Sequence, residues 1–219
     1  MTEFFLNNKK VKAKDDETIW TVAKREGIVL PHLCFADKPG YRADGNCRAC
    51  MVSIEGERVL AASCIRKPTE GMKVITNDER STKSRKMVLE LLVTDQPDRE
   101  TSHDPDSHFW NVASSVDVAK SRFDKREKTI VPCEDASHVA MSVNLDACIH
   151  CNLCVRACRE VQVNDVIGMG NRGHHSKVIF DFNDPMGDSS CVSCGECVQA
   201  CPTGALMESN LLDDNGTKN

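Results

Sequence analysis

Residues 148–158 read CIHCNLCVRAC, and residues 191–202 read CVSCGECVQACP. Both runs are C-x2-C-x2-C-x3-C. Cys148, Cys151 and Cys154 come at every third residue, then the interval lengthens before Cys158; Cys191, Cys194, Cys197 and Cys201 repeat that rhythm. Three thiolates so spaced wrap one loop around three corners of an iron–sulfur cubane. The fourth corner lies beyond the loop. In chains with two such runs, the offset cysteine of each ligates the neighbouring cluster. The spacing therefore predicts one [4Fe–4S] cluster on Cys148, Cys151, Cys154 and Cys201, and a second on Cys158, Cys191, Cys194 and Cys197. The fourth cysteine of each run is expected to start a helix that points away from its own loop. Pro202 then turns the chain directly after the last ligand.

The chain has 13 cysteines in 219 residues. The N-terminus, MTEFFLNNKKVKAKDDE, puts its apolar residues before its charges, the reverse of a secretory signal. The expected location is cytoplasmic, where disulfides are rare and cysteine clusters bind metal. Three groups of four account for all but Cys133, which is read as a free thiol. The first group is Cys34, Cys47, Cys50 and Cys64, spaced C-x12-C-x2-C-x13-C around the small residues of ADGNCRAC. Glycine and small side chains let backbone N–H groups approach cluster sulfurs and tune their potential. This frame predicts one [2Fe–2S] cluster. The alternative is zinc, which takes four ligands, usually as two separated C-x2-C pairs. That pattern fits the evenly spaced triplets poorly.

Net charge is −5, and the basic stretches RSTKSRK and KSRFDKREK are interleaved with polar or acidic residues. They read as solvated surface, so no nucleic-acid partner is expected. No apolar run approaches the roughly 18–20 residues that span a bilayer, so no membrane span is expected. There is no G-x-G-x-x-G fingerprint and no P-loop. GMGNRG lies inside the cysteine repeat rather than at a strand–helix turn. The chain shows no catalytic apparatus of its own.

The fold class expected is α+β, with an N-terminal β-grasp [2Fe–2S] ferredoxin-like domain followed by a two-[4Fe–4S] bacterial ferredoxin-type domain. Residues 1–77 form the first. EFFLN and KKVKA make a hairpin around Asn7-Asn8. DETIWTVAKREG is a helix capped by Asp16 or Thr18 and ended by Gly27. CMVSIEG and ERVLAAS make a hairpin around Gly56, and MKVIT is a last strand. Residues 78–140 begin with a helix, DERSTKSRKMVLELLVT, whose apolar face is Met87, Val88, Leu91 and Leu92. A long polar linker without a cluster follows, holding a short helix anchored by Phe109 and Trp110. Residues 141–208 carry the repeat, with a hairpin through KVIFDF between the runs. Residues 209–219 are a frayed polar tail.

LPHLC, GNCRACMVSIEG and AASC resemble the N-terminal [2Fe–2S] domain of three groups of proteins. These are the complex I large subunit, electron-transfer subunits of NAD-reducing hydrogenases and formate dehydrogenase alpha subunits. SVNLDACIHCNLCVRACREVQVNDVIGMGNRG and VIFDFNDPMGDSSCVSCGECVQACPTGALM resemble, more narrowly, the two-cluster segment of soluble NAD-linked molybdenum- or tungsten-dependent formate dehydrogenase alpha subunits. The resemblance covers nearly the whole chain; REVQVNDVIGM and FDFNDPMG are its more specific words. It implies an electron relay. One partner is a catalytic molybdenum/tungsten pterin subunit or domain that oxidises formate to CO2. The other is a set of flavin/NAD-binding diaphorase subunits. An electron-transfer subunit of an NAD-linked hydrogenase, or a free-standing ferredoxin-like carrier, is the alternative. A zinc-stabilised scaffold is a further one, and a redox sensor lacks any visible DNA-binding helix motif.

Two departures stand out. Many members carry a His-x3-Cys-x2-Cys-x5-Cys site after the first domain. Here TDQPDRETSHDPDSHFW offers His103 and His108 but no cysteine, so no cluster is expected there, and both histidines are read as surface or packing residues. The alpha subunits also continue into a large pterin domain, whereas this sequence reads as a separate small subunit or an N-terminal piece. His150 is read as a surface loop residue and His32 as packing or surface. Arg156 and Arg159 either offset cluster charge or face a partner.

Overall fold

The structure is a computed structural model and describes residues 1–125, 134–213 and 216–218. Cys133 lies outside the described residues. The chain divides into two compact units. One comprises Met1–Phe35, Ala43–Leu91 and Val112–Arg122; the other comprises Ala36–Arg42, Leu92–Asn111 and the described part of Phe123–Asn219.

In the first unit, β1 (Thr2–Leu6) and β2 (Lys9–Ala13) pair antiparallel with Leu6 opposite Lys9. Asn7 and Asn8, at φ 49° and 68°, supply the two left-handed positions of a tight hairpin turn. Alternation sends Phe4, Leu6, Val11 and Ala13 into the core. Helix α1 (Ile19–Arg25) is capped by Thr18, not Asp16. Thr18 Oγ1 accepts the Thr21 N–H (3.3 Å), and Thr21 Oγ1 accepts the Thr18 N–H (2.8 Å). Strands β3 (Met51–Ile54), β4 (Ala61–Ala62) and β5 (Lys73–Ile75) complete a sheet of order β2-β1-β5-β3-β4. Strand β5 runs parallel to β1, and the other pairs are antiparallel. A hairpin, a helix and a late central strand parallel to the first make a β-grasp. Its core joins Ile19, Trp20 and Val22 of α1 to Phe4, Leu6, Val52 and Val74 of the sheet.

Helix α2 (Glu79–Thr94) buries a different face from the one its apolar residues suggest. The buried stripe is Ser81, Arg85, Leu89 and Val93, while Leu91 is 51% exposed. Two polar residues belong to that stripe because backbone acceptors meet them. Arg85 donates to the Thr76 and Met51 carbonyls at 2.7 and 3.1 Å, and Ser81 Oγ donates to the Thr76 carbonyl at 3.4 Å. Helix α3 (His108–Ser115) buries Phe109 and Trp110.

In the second unit, the stretch read as a linker carries buried polar residues with partners. Gln96 Nε2 donates to the Ala147 carbonyl (3.1 Å), and Phe109 N–H donates to the Pro202 carbonyl (2.7 Å). After β6 (Glu134–Asp135), β7 (Met141–Asn144) forms the middle of a three-stranded sheet whose other edge is the late strand β10 (Leu206–Glu208). Between β7 and β10 come helix α4 (Leu153–Arg156), the hairpin β8 (Ile167–Gly170) with β9 (Lys177–Phe180), and helix α5 (Glu196–Ala200).

Two expectations are corrected. The fourth cysteines do not start helices: Cys158 sits in a π-helical turn (Ala157–Val161) that continues α4, and Cys201 caps the end of α5. Each helix starts earlier, between the second and third cysteines of its run. The tail is also not frayed throughout. A 3₁₀ turn covers Ser209–Leu211, Lys218 N–H donates to the His103 carbonyl (2.9 Å), and Lys218 Nζ meets Asp104 at 3.2 Å. Asp104 is 9% exposed, so the pair gives a largely buried carboxylate its counter-charge.

Candidate metal centres

Cys34, Cys50 and Cys64 are buried, and Cys47 is half-buried; none of the four is in a disulfide. Cys50 abuts β3 and Cys64 follows β4 by two residues. Ser63 joins these two edges, donating from Oγ and N–H to the Cys50 carbonyl (2.7 and 3.3 Å). The loop before them bends through Gly45 (φ 65°) and Arg48 (φ 58°). A Cβ on Gly45 would lie 2.9 Å from Ile65 Cδ1, and the left-handed backbone there favours glycine. The Cys47 N–H points at Cys34 Sγ, 3.4 Å away. The four side chains also contact one another. Hydrogen bonds from the Cys47 and Cys64 side chains hold the Cys34 thiol far below its usual range. The bond from Cys64 likewise lowers Cys50. The donors Cys47 and Cys64 are pushed up by the same bonds and by burial. The bonds run Cys47–Cys34–Cys64–Cys50, and thiols so linked cannot all ionise without a cation beside them.

The two runs in the second unit share one backbone shape. His150 and Asn152 are left-handed (φ 52° and 61°), and so are their counterparts Ser193 and Gly195 (φ 59° and 76°). The His150 N–H points back to Cys148 Sγ at 3.5 Å, and the Ser193 N–H to Cys191 Sγ at 3.4 Å. Alternating left-handed residues turn successive N–H groups inward, making a concave nest for an anion. Beyond the first run, the Val166 N–H reaches Cys158 Sγ (3.3 Å). Val163 and Asp165, at φ 58° and 56°, bend the chain there.

A cavity is lined by Cys148, Cys151 and Cys154 of the first run and Cys201 of the second, closed by apolar Val178 and Leu206. Burial pushes the Cys148 thiol up to about 11. Burial also raises Cys154, well above its usual value; the charges of Cys151, Cys148, Cys201 and Cys197 add to it. Burial raises Cys197 to about 12, with Cys191, Cys194 and Cys158 adding to it. Iron that drew the protons off would relieve that repulsion. Among the described residues, no three His, Cys, Asp or Glu converge where one metal ion would sit.

The other residues singled out in the sequence fall as follows. His103 is buried, and its Nδ1 donates to the Gly204 carbonyl (2.9 Å); His108 and His150 are exposed. His32 packs edge-on against Trp20, ring centroids 4.7 Å apart. Arg159 is exposed and pairs with Asp165, whereas Arg156 is 2% exposed. One contributor escaped sequence reading. His138 is buried; its Nδ1 accepts the Ala140 N–H (3.1 Å), so Nε2 carries the proton and donates to Ser193 Oγ (2.9 Å). It lies in the linker stretch with no motif around it, so no sequence signal marks it.

Residues 1–79 match the 2Fe-2S iron-sulfur cluster binding domain, and residues 147–205 match the 4Fe-4S dicluster domain. The NADP-reducing hydrogenase subunit HndD of Solidesulfovibrio fructosivorans is 31% identical over 97% of this chain and 37% of its own length. An NADH-quinone oxidoreductase component of Rhizobium meliloti is 28% identical over 94% of this chain and 24% of its length. A putative formate dehydrogenase of Staphylococcus haemolyticus is 28% identical over 88% of this chain and 19% of its length. The chain thus spans well under half of these relatives. A chain of the NAD+-reducing [NiFe]-hydrogenase crystal structure in the H2-reduced state aligns with a TM-score of 0.83 and 27% identity, over 95% of this chain and 87% of that one. The chain thus carries a match to a 2Fe–2S domain followed by a match to a 4Fe–4S dicluster domain, and is similar over most of its length to hydrogenase, NADH-quinone oxidoreductase and formate dehydrogenase-like proteins.

Proposed function

We propose that the chain is an electron relay with three clusters: a [2Fe–2S] cluster on Cys34, Cys47, Cys50 and Cys64, and two [4Fe–4S] clusters. One is held by Cys148, Cys151, Cys154 and Cys201, and the other by Cys158, Cys191, Cys194 and Cys197. The reading rests above all on the cavity lined by three cysteines of one run and the last cysteine of the other. The clusters, when bound, supply one-electron chemistry. The chain's own residues fix spacing, keep water away and aim N–H groups at the cysteine sulfurs, which sets potentials. The relay runs between a catalytic partner and flavin/NAD-binding subunits.

For the catalytic partner, the specific words of the sequence favour a molybdenum or tungsten pterin site that oxidises formate. The hydrogenase relatives favour a hydrogen-activating partner instead. Purification from the native host decides: copurifying molybdenum or tungsten supports the first, and nickel or additional iron in a large subunit supports the second. The cluster content predicts about 10 Fe per chain, with matching acid-labile sulfide. About 14 Fe would reveal a fourth, four-iron cluster. Cys158→Ser is expected to deplete the cluster of the 191–197 loop in EPR spectra of the reduced protein. Loss of only the cluster on Cys148, Cys151 and Cys154 would refute the crossed assignment.

A further inference from the structure

Arg156 lies between the last two cysteines of the first run and is among the largest fully buried side chains of the molecule. Its counterpart in the second run is Gln199, which is exposed and donates to Glu208 at 3.3 Å. The two runs thus agree in cysteine spacing and backbone shape but differ in this buried cation. A buried guanidinium persists where anionic groups surround it. Arg156 Nη2 donates to the Cys151 carbonyl at 3.4 Å, within the loop of the first ligand set. Helix α4, which ends at Arg156, packs against α5, which carries Cys197. Cys197 belongs to the second ligand set. Arg156 therefore lies beside the first set, on a helix packed against the one that carries a member of the second, and brings a guanidinium shielded from water.

We propose, building on the cluster reading above, that Arg156 is a positioning residue of the [4Fe–4S] pair: a fixed internal positive charge that raises the clusters' reduction potentials and anchors the Cys151 segment of the first loop. A reduced cluster carries one more negative charge than an oxidised one, and a nearby cation stabilises the reduced form. Low-dielectric surroundings strengthen the effect. The cluster whose loop Arg156 contacts feels it more.

The test compares the full-length, anaerobically prepared protein with Arg156→Gln and Arg156→Lys, following iron content and EPR-monitored redox titrations. Wild type with about 10 Fe per chain establishes that the clusters are there; iron-free wild type sinks the cluster reading itself. With clusters present, Arg156→Gln is expected to move both [4Fe–4S] midpoints to more negative potential, the cluster on Cys148, Cys151, Cys154 and Cys201 further, and to leave the [2Fe–2S] midpoint in place. Arg156→Lys is expected to stay near wild type. Unchanged midpoints in Arg156→Gln overturn the proposal. So does an equal displacement in both variants, which would mean that shape rather than charge matters. If Arg156→Gln sheds its [4Fe–4S] iron, retention in Arg156→Lys sustains the proposal, and equal loss in both variants overturns it.

Discussion

At residue scale, the loop after Cys201 shows how closely single atoms are specified. Gly204 holds φ 72°, and a Cβ there would lie 2.6 Å from Asp104 Cβ. Gly204→Ala combines backbone strain with overpacking and is expected to cost about 2–4 kcal/mol, read as a lower denaturation midpoint. His103 bonds the same residue. Burial holds its imidazole below the ordinary histidine range, with the Gly204 carbonyl pulling the other way. The folded state therefore binds the proton more weakly than the unfolded chain. The resulting stability is present above about pH 6.5, the unfolded value, and is lost as pH falls below it. His103→Gln should flatten that acid-side slope in denaturant titrations. Sequence spacing alone groups the twelve cysteines and marks the turn at Pro202. It left Arg156 open and missed His138, because a charged or polar side chain is exposed by default and only tertiary neighbours override that.

At the scale of elements, hairpins and caps were legible because their signals are local. Asn7-Asn8 fixes one turn, and Thr18 with Thr21 fixes one helix start. Helix α2 was legible in extent but not in facing. Its apolar residues drew a stripe through Met87, Val88, Leu91 and Leu92, whereas the fold buries Ser81, Arg85, Leu89 and Val93. Backbone carbonyls of Thr76, just before the helix, and of Met51, 34 residues away, make Arg85 a core residue. Thermal or chemical unfolding checks the assignment: Leu89→Ala is expected to cost about 2–4 kcal/mol, and Leu91→Ala less than about 0.5 kcal/mol.

For the molecule as a whole, the two units differ in what holds them. The first has a continuous apolar core drawn from a sheet and a helix. The second holds its cysteines on loops, a π-helical turn and two helices of only four and five residues, α4 and α5, far too short to persist alone. Removing iron by anaerobic chelation is expected to raise amide hydrogen exchange across residues 145–205 far more than in β1, β2 and α1, since metal binding there is folding free energy. Among the described residues no helix is long and apolar enough to cross a membrane. The matching left-handed bends at His150 and Ser193, and at Asn152 and Gly195, carry a last consequence. One scaffold is cast twice from unlike side chains, so each casting is separately adjustable. On the proposed cluster assignment, a change in one casting displaces the two cubes unequally, so the voltage step between them is open to unequal editing of equal halves.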